Sequence, residues 1–188
     1  HPETRVDNYA EWGRRGGWSS SSGRGWANLS NAPFRMYKRY THEGGVATPL
    51  IVHWPAGMKA KGELRHAPGH LIDIAPTCLA AAGLEGKGME GQSLLPVFAR
   101  DQKQARTLYW EHEGNRAVRK GDYKLVAIHN TPWELYDMSK DRSELNDLSS
   151  AMPKKTKELR TAYEAWAKRV GAKPWDEINV KKKKKKLF

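Results

Sequence analysis

Between residues 35 and 45 the sequence gathers Arg35, Lys38, Arg39, His42 and Glu43, followed by Gly44-Gly45. This is a dense cluster of charged and polar side chains of mixed kinds. A lysine in such a cluster offers a point charge to a tetrahedral oxyanion. Two consecutive glycines allow a sharp turn and close approach of backbone to backbone. The other reading of the same residues is a solvated basic loop. Nothing else competes as a catalytic motif. No GxSxG nucleophile elbow, P-loop or HExxH occurs. Cys78 is the one cysteine, so neither a disulfide framework nor a CxxC zinc site is available. On the apolar side of a helical pattern, Cys78 reads as a small buried hydrophobe rather than a reactive thiol.

These residues need elements to hold them. Residues 1–32 are rich in Gly, Ser, Arg and Trp, without periodicity, and read as a loop or insertion. The run Thr48-Pro-Leu-Ile-Val-His-Trp54, bounded by Gly and Pro, reads as a buried strand. His70 to Ala82 reads as a helix with Leu71, Ile74, Cys78 and Ala82 on its apolar face and Gly83 as its stop. Pro76 inside it marks a kink or the true first turn. Residues 84–107 form a connector with a short apolar piece at Leu94 to Phe98.

The last third changes character. Leu108 to Trp110 is strand-like. Ala117-Val118 and Tyr123 to Ile128 flank Arg119-Lys-Gly-Asp122, a hairpin signal with glycine in the turn, and Trp133 to Tyr136 is another strand. Leu159, Tyr163, Trp166 and Val170 then line one face of an amphipathic helix from Pro153 to Val170. Such strands and one helix make a module that buries a sheet face under the helix.

Composition sets the outer limits. The chain has 188 residues, enough for one domain or slightly more. Eight Trp, seven Tyr and three Phe argue against disorder throughout. No apolar stretch is long enough to span a membrane as a helix. The net charge is +12, but Lys181 to Lys186 contribute six of the 33 basic residues, leaving 27 against 21 acidic ones. Such a run reads as a solvated, disordered tail, and its alternative reading is a polyanion-binding segment. The chain starts at His1 without an apolar leader, as expected of a processed chain or a piece of a longer one.

Lys38-Arg-Tyr-Thr-His-Glu-Gly-Gly-Val-Ala-Thr-Pro-Leu-Ile-Val-His-Trp-Pro55 resembles a segment of the arylsulfatase-type sulfatases, where a lysine precedes a Glu-Gly-Gly turn and a strand ending in Trp-Pro. Pro68-Gly-His-Leu-Ile-Asp-Ile-Ala-Pro-Thr77 resembles the helix that follows there, and Met89-Glu-Gly-Gln-Ser-Leu-Leu-Pro96 the family's G-x-S-L-x-P stretch. Glu111-His-Glu-Gly-Asn-Arg-Ala-Val-Arg119, Gly121-Asp-Tyr-Lys-Leu125 and Trp133-Glu-Leu-Tyr-Asp137 resemble its C-terminal hairpin and strand. The resemblance covers about residues 24–170.

It implies an α/β fold, the C-terminal part of an alkaline-phosphatase-like sulfatase. Residues 1–100 would be a remnant of the main domain, 101–175 a small antiparallel sheet packed against a C-terminal helix, and 176–188 a basic tail. It implies hydrolysis of sulfate esters by a formylglycine nucleophile, with calcium holding the sulfate. The C/S-x-P/A-x-R motif that yields formylglycine is absent, since Cys78 sits in Thr-Cys-Leu-Ala-Ala. The paired aspartates and the Lys-x-His of the family are absent too. The nucleophile and most metal ligands would come from an N-terminal half of the same sulfatase, and this chain alone should be inactive.

Four residues are carried over. Lys38 has the spacing of the family's sulfate-contacting lysine. Asp7-Asn8 would be the calcium-binding pair, or an ordinary Asp-Asn turn. His112 would face the substrate, or be a surface hairpin histidine. The resemblance also implies an exported protein, periplasmic or extracellular, whose partner is a sulfate ester and not a nucleic acid or a membrane. The reading from another class is a non-catalytic basic module that binds nucleic acid or sulfated glycans.

Overall fold

The computed structural model describes residues 23–59, 62–102 and 106–179. Asp7, Asn8 and the lysine run at 181–186 lie outside them. Four strands form one sheet in the order β1-β2-β3-β4: β1 Thr107–His112, β2 Asn115–Lys120, β3 Tyr123–Ala127 and β4 Glu134–Asp137. Two tight turns connect the first three. Glu113-Gly114 joins β1 to β2 with positive φ at both residues, 52° and 83°. Gly121-Asp122 joins β2 to β3, with φ of 60° at Gly121. Two-residue turns with positive φ match the twist of the strands they join.

The helices are α1 Gly23–Ser30, α2 Glu43–Val46, α3 Ile74–Ala81, α4 Leu95–Ala99, α5 Pro153–Val170 and α6 Trp175–Ile178, with a 3₁₀ turn at Leu71–Asp73. The chain divides into two compact units. One takes in described residues 23–48, 109–118 and 123–179; the other takes in 49–108 and 119–122.

In the first unit the sheet is dressed differently on its two faces. Alternation along β3 sends Leu125 one way and Lys124 and Val126 the other. Leu125 and Leu135, paired across β3 and β4, join Val118, Leu159 and Tyr163 in a core against α5. The helix occupies the bounds that its apolar spacing predicts. Leu159 and Tyr163 are buried, Trp166 is half-buried and stacks on Tyr109 at 5.0 Å, and Val170 is already exposed. Gly171, with φ of 69°, ends it. The opposite face carries Ala117, Val126, Tyr136 and Met138.

In the second unit two expectations fail. Residues 48–54 form no strand, and Ile51 is 90% exposed. A strand exists only through backbone pairing, Pro49 has no N–H to give, and the sheet's four strands pair among themselves. The second failure is the face of the helix predicted over 70–82. Leu71, Ile74 and Cys78 point outward, whereas Asp73, Pro76 and Thr77 are buried. Pro76 does sit in the first turn of α3.

Polar ties rather than apolar spacing choose the inward face. Asp73 accepts hydrogen bonds from the two terminal guanidinium nitrogens of Arg106, Nη1 and Nη2, from the amide of His70 at 2.7 Å and from that of Gln92 at 3.0 Å. Burial pushes the Asp73 carboxyl up, but these donors outweigh it and hold it below its usual range. Thr77 Oγ1 donates to the Asp73 carbonyl and accepts from Leu94 N at 2.9 Å.

Candidate functional site

Lys38 sits at the exposed tip of a loop closed at its base by the bond from Gly44 N to the Arg35 carbonyl, 2.9 Å. Met36 and Arg39, on either side of it, have positive φ of 65° and 91°. Non-glycine residues hold such conformations only where the surroundings impose them. Gly44 and Gly45 show why the sequence needs two glycines here. A Cβ on Gly44 would fall inside contact distance of the Arg35 and Met36 carbonyls, and one on Gly45 would meet the Tyr40 carbonyl.

Both legs of this loop are locked to the sheet face away from α5. On the first leg, Arg35 Nη1 donates to the Glu144 carbonyl at 2.7 Å and to Tyr136 Oη at 2.8 Å, and pairs with Glu134 at 3.4 Å. On the second, fully buried His42 places Nε2 3.1 Å from Glu134 Oε2. Glu43 binds Lys124 Nζ at 3.0 Å and Arg142 Nη2 at 3.1 Å, while its amide donates to Glu144 Oε2 at 2.9 Å. Lys124 also pairs with Glu144 Oε1 at 2.8 Å. Lys124 and Glu144 are fully buried.

The strand register aligns these groups. Lys124 lies opposite Tyr136 and Val126 opposite Glu134, so the charged residues share one face. Three cations, Arg35, Lys124 and Arg142, thus meet three carboxylates, Glu43, Glu134 and Glu144. Burial that would otherwise be costly is compensated pair by pair. The bond with His42 is the main cause holding Glu134 down at about 2, against burial, with help from Tyr136 and Arg35. Burial pushes Glu43 up, but Lys124 and Arg142 overcome that and hold it below its ordinary value. Burial, and then the bond it donates to Glu134, pushes the Tyr136 phenol up.

A second set of bonds reaches the loop tip. The buried amide of Asn115 donates from Nδ2 to the Arg39 carbonyl and to the His112 carbonyl, both at 3.0 Å. Its Oδ1 accepts from His129 N at 3.1 Å. Arg39 Nε donates to Glu113 Oε2 at 2.7 Å. The structure therefore brings the tip carrying Lys38 beside the hairpin carrying His112, and both side chains are exposed. Asp7 and Asn8 lie outside the described residues. Among the described residues no group of three or more His, Cys, Asp or Glu side chains is placed to hold a metal. The arrangement presents the exposed ammonium of Lys38 on a loop fixed at its base.

Sequence reasoning found the loop and its glycines but not what holds them. Lys124 carried a signal: a lysine in the middle of Tyr-Lys-Leu-Val-Ala, where neighbours are apolar, calls for a buried carboxylate. Glu144 and Asn115 carried none.

Residues 34–168 match the family model described as N-sulphoglucosamine sulphohydrolase, C-terminal. The chain belongs to the sulfatase family. It is 32% identical to an uncharacterized sulfatase of Schizosaccharomyces pombe, over 71% of this chain and 27% of the relative. It is 32% identical to the N-acetylglucosamine-6-O-sulfatase of Bacteroides thetaiotaomicron, over 68% of this chain and 26% of the relative. It is 34% identical to the N-acetylgalactosamine-6-sulfatase of Mus musculus, over 60% and 22%. The fold is similar to that of Ps i-CgsB, solved also in complex with k-i-k-neocarrahexaose, with a TM-score of 0.65 and 25% identity over 74% of this chain and 34% of that one. The sulfatase match thus spans about a quarter of the length of these curated relatives. No helix among the described residues is long and apolar enough to cross a membrane.

Proposed function

We propose that this chain is the C-terminal portion of an exported sulfatase that hydrolyses sulfate esters of sugars, with Lys38 as the cation that meets a sulfate oxygen. The carrying observation is the mounting of Lys38: an exposed ammonium on a loop whose first leg is fixed by the Arg35 hydrogen bond to the Glu144 carbonyl and whose second is fixed by the His42–Glu134 bond and the buried Glu43–Lys124–Glu144 ion pairs. A flexible surface lysine needs no such base. Relatives named for N-acetylglucosamine and N-acetylgalactosamine sulfates support this substrate class.

S–O cleavage spreads negative charge over the non-bridging sulfate oxygens. An ammonium carried on a fixed loop stabilises that charge with less reorganisation than one on a mobile loop, which is where electrostatic catalysis gains most. The formylglycine nucleophile and a calcium ion would be supplied mainly by residues outside this chain. The described residues alone do not form a calcium set; Asp7 and Asn8, beyond them, have the oxygen chemistry such an ion prefers.

The test is made in the intact enzyme carrying this segment. Lys38→Ala should lower kcat/KM by roughly 10²–10³-fold, comparable with losing one oxyanion donor. Lys38→Arg should restore only part, because a planar fork does not reproduce a point charge. Unchanged kinetics in Lys38→Ala would show that the ammonium does not meet the sulfate.

A further inference from the structure

We infer that Asn115 is a positioning residue for specificity: it ties the Lys38 loop to the Glu111–Asn115 turn so that His112 reaches the sugar of a sulfate ester held at Lys38. This rests on the reading of Lys38 given above.

The geometry is one-directional. Both Nδ2 hydrogens of Asn115 are spent on carbonyls of the two segments, and its Oδ1 is spent on the His129 amide. An inverted amide would set an oxygen against two carbonyl oxygens, so the orientation is fixed. The two carbonyls belong to His112 itself and to Arg39, the residue after Lys38. Since both lie within 3.0 Å of one nitrogen, the two segments are held close at the level of the backbone.

The backbone is strained where the tie acts. Arg39 and Glu113, neither of them glycine, both have positive φ. Gly114 is pressed against the His129 ring, where a Cβ would collide. The exposed ion pair from Arg39 to Glu113 makes a second, weaker link between the same segments. The exposed side chains gain no packing from this arrangement, so what it secures is their relative placement. An imidazole offers a donor or acceptor to ring hydroxyls and amides. With the sulfate at Lys38, His112 is the neighbouring group that meets the part of the substrate an aryl sulfate lacks.

Lys38 is held separately, by Arg35, His42 and Glu43, so cutting the Asn115 tie displaces the hairpin and leaves the sulfate contact. Asn115→Asp keeps shape and the acceptor for His129 but opposes a carboxylate to two carbonyls. In the intact enzyme it should lower kcat/KM about tenfold on N-acetylglucosamine 6-sulfate, through KM, and by less than about twofold on 4-nitrophenyl sulfate. Glu113→Ala, which cuts only the surface link, should give a smaller loss with the same substrate split. It carries the test if Asn115→Asp does not fold.

Equal losses on both substrates, or none on either, would overturn the positioning role. Loss of turnover on neither substrate in Lys38→Ala would instead overturn the sulfate reading. In the 188-residue chain itself, ¹⁵N-labelled Asn115→Asp should shift the amides of residues 38–40 and 112–114 together, and an unmoved 38–40 set would refute the tie.

Discussion

Replacing Lys124 by methionine tests the buried network that carries the Lys38 loop. The substitution keeps most of the volume and removes the charge between Glu43 at 3.0 Å and Glu144 at 2.8 Å. Glu43 retains Arg142, whereas Glu144 loses its cation while fully buried. Breaking a buried pair by removing one partner costs about 3–5 kcal/mol, because the remaining charge stays desolvated. That is a large share of the roughly 5–15 kcal/mol that holds a typical domain folded.

Urea denaturation followed by tryptophan fluorescence reads this directly, since Trp133 and Trp166 pack against the core. With a slope of about 2 kcal/mol/M, the midpoint should fall by about 2 M at pH 7. The pH dependence adds a second signature. A carboxylate held below its ordinary value, as Glu43 is, contributes stability above its unfolded pKa and loses it as pH falls. Lys124→Met removes part of that stabilisation from Glu43, so the gap between native and variant should narrow as pH falls and Glu43 protonates. The double variant Lys124→Met/Glu144→Gln should recover part of the loss at pH 7. An unchanged midpoint, or a gap constant from pH 7 to pH 4, would refute the claim that these charges are buried and mutually dependent.

Trp166→Ala should destabilise the chain by about 2–3 kcal/mol, less than for a fully buried tryptophan, because Trp166 is half-buried and stacked on Tyr109; a thermal melt with an unmoved midpoint would show that α5 does not pack there. Glu134 is held at about 2 against an ordinary 4.5, so it stabilises above the ordinary value and that contribution is lost as pH falls toward 2. In Glu134→Gln the melting temperature should therefore depend less on pH between 4.5 and 2, and an unaltered slope would count against the His42 bond. Gly44→Ala should force the loop base open, since the added methyl meets two carbonyls that are backbone and cannot move aside; a wild-type melting curve and unshifted Lys38 amide would contradict the close approach.

The local pattern in the sequence determined the elements whose burial is one-sided. The helix Pro153–Val170, the Gly121 turn and the four strands were legible because apolar period, proline at a first turn and glycine at positive φ act within a few residues. The Glu-Gly-Gly turn was legible for the same reason, as was Lys38 as its exposed charge. What tertiary structure alone decided was every arrangement set by partners distant in sequence. Thr48 to Trp54 has the composition of a strand, but a strand needs a neighbour to pair with. Leu71, Ile74 and Cys78 have helical spacing, but Arg106 and Leu94 tie Asp73 and Thr77 inward and turn that face out. Glu43 meets Lys124 across 81 residues and Asn115 meets Arg39 across 76. Such bonds depend on strand register and loop closure, which no local periodicity encodes, and they make a cluster of charges that could have been a solvated loop into a fixed mount for Lys38.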